Sequence, residues 1–119
     1  MGAATAAAAG VLVMALAGSG VAHSLLLESS PAAGVTLTDS PPQMSLRFNN
    51  RIEKKLSTIR VLDERGASRP VTVLVADGPA ERLTAELPPL AVGSWRVEWQ
   101  VLSTDGHIVR GSFSFRIAR

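Results

Sequence analysis

Apolar and polar residues alternate with a period of two through most of the chain beyond residue 23. Met44, Leu46 and Phe48 are spaced by Ser45 and Arg47, Ile59 and Val61 flank Arg60, and Leu83, Ala85 and Leu87 are separated by Thr84 and Glu86. Val71, Val73 and Val75 follow Pro70 in the same way, and Phe113, Phe115 and Ile117 close the series. The longest run is Trp95, Val97, Trp99 and Val101, with Arg96, Glu98 and Gln100 on the opposite face. Successive side chains of an extended strand point to opposite faces, so each run predicts a strand with one buried side. Leu25 to Leu27 adds another, and Val35 to Leu37 a shorter one.

Turn-forming residues separate the runs: Ser30-Pro31 to Gly34, Pro41-Pro42, Asp63 to Gly66, Asp77-Gly78-Pro79, Pro88-Pro89, Gly93 and Asp105-Gly106. The one helix-compatible stretch, Ile52 to Thr58, is too short to form a layer. About seven short strands with this punctuation predict an all-β chain folded as an antiparallel sandwich with Greek-key connections. No internal repeat or long linker interrupts it, so residues 23–119 are expected to form one domain.

The first 22 residues follow different rules. Ala3 to Ala17 is an Ala, Val and Leu run broken only by Thr5 and Gly10, and Gly18-Ser19-Gly20 then ends it. This is the apolar core and small-residue tail of a secretory signal peptide, although the Lys or Arg usual at its start is absent. Small residues at Gly20 and Ala22 place the expected cut between Ala22 and His23, with a second option after Ala17. The run is shorter than the roughly 20 residues of a membrane span. The mature protein is therefore expected outside the cytoplasm, periplasmic or extracellular, with His23 at its free amino terminus.

Composition adds exclusions. All 12 Lys and Arg and all 10 Asp and Glu lie beyond residue 22, for a formal net charge of +2. Neither a dense basic stripe nor stacking aromatics are present, so no nucleic-acid partner is expected. With 0 Cys the domain must fold without disulfides, and any metal serves function rather than folding. The absence of Cys also removes thiol nucleophiles, and neither His has an obvious Ser and acid partner. The Gly residues of the mature region stand singly at turns, so no phosphate-cradling loop exists.

The 2 His are what remains. His107 closes Ser103-Thr104-Asp105-Gly106-His107, and an Asp-Gly turn with a solvated His beside it is ordinary hairpin chemistry. In a near-extended backbone, however, Asp105 and His107 lie on one side and can converge on one ion, with Gly106 allowing the bend. A free amino-terminal His23 is a chelator in its own right, because its amine and ring Nδ1 close a six-membered ring on a metal. The amine, two imidazoles and one carboxylate together make an N3O set that favours Cu(II) among divalent ions, while Zn(II) and Ni(II) fit the same donors less tightly. Met1 and Met14 leave with the leader and Met44 is patterned as core, so a thioether site for Cu(I) is not expected.

These residues carry a resemblance. The opening His23-Ser24-Leu25-Leu26-Leu27-Glu28-Ser29-Ser30-Pro31-Ala32-Ala33-Gly34 is similar to the start of the CopC family of periplasmic copper-binding proteins. Gly93 to His107, with Gly111-Ser112-Phe113-Ser114-Phe115, resembles that family's closing signature, and Leu46-Arg47-Phe48-Asn49 fits it more loosely. Ser24 stands where Ala is more usual and Trp95 where Tyr is. The resemblance implies an Ig-like β-sandwich with one Cu(II) per chain, held by the amine and imidazole of His23, by Asp105 and by His107. It also implies a monomeric, non-enzymatic protein that captures, buffers or delivers copper, with a CopD-type membrane transporter as partner and no membrane contact of its own. Two other classes fit parts of the same reading: a metal-free Ig-like binding or adhesion module, and a copper-dependent oxygenase with a histidine brace. The small domain and the extra carboxylate argue against the latter.

Overall fold

The computed structural model of the protein describes residues 24–119; the expected leader, residues 1–22, and His23 lie outside them. Nine strands follow in order: β1 (Leu26–Ser30), β2 (Thr36–Leu37), β3 (Gln43–Phe48), β4 (Thr58–Leu62), β5 (Ser68–Arg69), β6 (Thr72–Val73), β7 (Arg82–Glu86), β8 (Gly93–Leu102) and β9 (Ile108–Ile117). They form two sheets, one in the order β1-β3-β7-β6 and the other β2-β9-β8-β4-β5. The stretch from Ile52 to Thr58 contributes only a single 3₁₀ turn, Lys54–Leu56. Among the described residues no helix is long and apolar enough to cross a membrane.

The alternating runs become the inner faces. Met44, Leu46 and Phe48 of β3 and Leu83 and Ala85 of β7 meet Ile59 and Val61 of β4, Trp95, Val97, Trp99 and Val101 of β8, and Phe115 and Ile117 of β9, all buried. Each large side chain withdrawn from water in this way stabilises the fold by about 1.5–3 kcal/mol. The sandwich architecture is as expected, and four details differ. The Val71–Val75 run is a strand only at Thr72–Val73, and Val75 is exposed. Ser68–Arg69 forms an added two-residue edge strand on β4. β2 runs parallel to the end of β9, the one parallel pairing among the described strands.

The largest departure is β9, which begins at Ile108 rather than near Phe113 and pairs with β8 along its whole length. In that ladder Gly111 faces Trp99. A Cβ at Gly111 would overlap Cζ2 and Cε2 of the indole, so the missing side chain is what lets the ring lie flat across β9. The ring is fixed from the other sheet by Phe48, edge-on with centroids 5.2 Å apart and planes at 70°. Gly111→Ala is therefore expected to cost about 1–3 kcal/mol through overpacking, read as a lower urea midpoint at unchanged slope. Ser114→Ala on the exposed face of the same strand should change stability by less than about 0.5 kcal/mol.

Candidate metal centre

The turn joining β8 to β9 presents both described candidate ligands. Ser103 donates its N–H to the carbonyl of His107 (2.8 Å) and accepts the N–H of Gly106 (3.0 Å), which defines a three-residue loop over Thr104, Asp105 and Gly106. Such a loop needs a left-handed residue at its end, and Gly106 takes φ +86. The expected extended or lightly bulged arrangement is thus a tight turn, and the convergence of the two side chains comes from the turn itself. The Asp105 carboxylate accepts the His107 backbone N–H through Oδ1 at 3.1 Å. Its Oδ2 stands 3.1 Å from His107 Nδ1, with the Asp105 side chain 23% exposed and the imidazole 66%.

This spacing serves metal chemistry in two ways. Donors bonded at about 2.0–2.1 Å to one ion at a right angle lie about 3 Å apart, so carboxylate and imidazole are close enough to share an ion. Alternatively, a carboxylate that accepts a hydrogen bond from Nδ1–H would fix the tautomer with Nε2 as the donor toward a metal and set the ring's direction. Either use requires the turn to hold its shape, which the base of the hairpin provides. Ile52 bridges Ser103 across the turn, Glu53 donates its N–H to the Leu102 carbonyl (3.0 Å), and the Ser57 hydroxyl donates to the Glu53 carbonyl (2.8 Å).

The first described residues are tied to this same end of the sandwich. Ser24 is fully buried; its N–H donates to Ser103 Oγ at 3.0 Å, and the Ser103 hydroxyl donates to Ser24 Oγ at 2.7 Å. Leu25 donates its N–H to Asn49 Oδ1 (2.7 Å) and accepts the Asn49 N–H (3.0 Å). β1 then pairs with β3, where Glu28 and Arg47 form a 2.8 Å ion pair. The hydrogen bond from Arg47, and then its charge, holds the Glu28 carboxyl below its ordinary value. The pair is exposed, so its contribution to stability is small. His23 lies outside the described residues; in sequence it adjoins Ser24, and neighbouring Cα atoms are about 3.8 Å apart.

The family model described as the CopC domain matches residues 26–118. The chain belongs to the CopC family. It is 31% identical over 116 residues to copper resistance protein C of Escherichia coli, a match covering 91% of each chain. The crystal structure of CopC from Methylosinus trichosporium OB3b superposes with a TM-score of 0.76 at 38% identity, covering 80% of this chain and 93% of that one. PcoC, described as a methionine-rich copper resistance protein from Escherichia coli, matches with a TM-score of 0.69 at 26% identity, over 82% of this chain and 100% of that one.

Asn49 and Ser103 enter the sequence reading only as members of stretches similar to the family, and Ser24 only as a departure from the usual Ala, none of them with a role at the site. One local signal was available. Trp95, Val97, Trp99 and Val101 set the inward parity of β8, and the next inward position is Ser103, a buried hydroxyl where an apolar residue would continue the pattern. Gly106 supplies the test of the turn: Gly106→Ala places a Cβ at positive φ and should cost about 1 kcal/mol. Gly106→Asn should cost less because Asn tolerates the left-handed region, and the two are compared by thermal unfolding of the metal-free protein.

Proposed function

We propose that this CopC-family protein is exported, cleaved between Ala22 and His23, and binds one Cu(II) per chain through the His23 amine and imidazole, Asp105 and His107. The observation that carries the reading is the burial of Ser24 on Ser103, two residues before Asp105 and four before His107. Ser24, which follows His23 in sequence, is thereby bonded to the base of a loop whose carboxylate and imidazole already converge. The names of relatives matched over most of their length support copper as the cargo. The donor set, nitrogen-rich and without sulfur, supports the cupric state. The protein acts by capture, buffering or delivery rather than catalysis, as a monomer, and a CopD-type membrane transporter is the proposed acceptor.

Protons compete with the metal for the amine and imidazole nitrogens, so apparent affinity is expected to fall under acid conditions. Titrating the His23-initiated protein with Cu(II) at neutral pH should give a one-to-one complex by calorimetry and intact mass. His107→Ala, or a single residue left ahead of His23, should weaken binding by more than the roughly 10- to 100-fold typical of losing an outer-shell partner. Absence of a one-to-one complex, or affinity unmoved by both changes, would overturn the proposal.

A further inference from the structure

The geometry points to a positioning role for the buried pair Ser24 and Ser103: their two hydrogen bonds clamp Ser24, the residue to which His23 is joined in sequence, to the base of the hairpin that carries Asp105 and His107, and so slow the release of an ion gripped from both segments. This rests on the copper reading above, and it assigns work to residues that are not themselves ligands. Ser103 uses its hydroxyl twice, accepting from the Ser24 backbone and donating to the Ser24 hydroxyl, and both serines are excluded from water. Its own N–H is bonded to the His107 carbonyl. One residue thus fixes both the loop that carries two donors and the segment that precedes β1.

A terminal residue normally loses considerable freedom on being ordered, and that cost falls on whatever binds it. Here the backbone one residue along is already immobilised in the folded chain, so less remains to be lost when the terminal amine and imidazole close on an ion. The Ser24 hydroxyl supplies the second bond of the clamp. Replacing it removes the hydroxyl bond and leaves the backbone bond, whereas replacing Ser103 removes both.

The test uses the His23-initiated protein and its Ser103→Ala, Ser24→Ala and Ile59→Val variants, the last a core change away from the clamp. Two quantities are measured: amide hydrogen exchange at Ser24 in the metal-free protein, and the rate at which Cu(II) passes to an excess of chelator at fixed pH. Ser103→Ala, which removes both bonds, should speed both about tenfold or more, and Ser24→Ala, which removes one, about two- to fourfold. The visible absorption of the copper-saturated variants should match the parent, because the donor atoms are unchanged. Ile59→Val should alter stability without altering release. The role is overturned if Ser24 exchange accelerates while release does not, or if Ile59→Val accelerates release as much as Ser103→Ala. Should Ser103→Ala fail to fold, Ser24→Ala carries the same comparison. A parent protein that takes up no Cu(II) would remove the copper reading and this role together, whereas normal uptake with unmoved release rates removes the clamp alone.

Discussion

The ladder between β8 and β9 is the constraint on which the rest of the structure depends. It runs from Gly93 opposite Ile117 to Leu102 opposite Ile108, so its register alone decides which side chains line the core and where the connecting turn falls. Sliding it by one residue would turn Trp95, Val97, Trp99 and Val101 to solvent and move Ser103 out of reach of Ser24. The register is pinned by a steric match inside the sheet, Gly111 beneath the Trp99 ring, and by Phe48 from the opposing layer. Packing of the core and placement of the turn are therefore the same event seen at two ends of one strand pair.

The strands of the sandwich were legible because each presents one face to the core, and a period of two is visible without knowing the partner strand. Ser68–Arg69 was not, since two residues cannot display an alternation, and neither was the first half of β9. Gly111 looks like a break in a strand until its neighbour across the ladder is known, and that neighbour lies on another segment. The parallel contact of β2 with Arg116 and Ile117 is likewise a property of the assembled edge.

The candidate centre divides along the same line. Asp105 and His107 stand close together in the chain, so their chemistry and the turn between them were readable, although the turn is tighter than an extended strand would give. The attachment of Ser24 to Ser103 and of Leu25 to Asn49 joins segments remote in sequence, and no local pattern encodes such a meeting. Donor chemistry alone already pairs His23 with Asp105 and His107, similarity to the CopC family supports the same set, and the described fold adds the hydrogen bonds that tie Ser24 to Ser103.

The bond between Ser24 and Ser103 spans 79 positions and so closes nearly the whole domain into a single loop. Contacts of that separation raise contact order and slow the search for the native state, because ring-closure entropy is spent before they reward it. An unfolded chain leaves the two segments unconnected, so a ligand gripping both would bind the native ensemble far more tightly than the denatured one. By mass action, its occupancy would then set how much of the population stays folded.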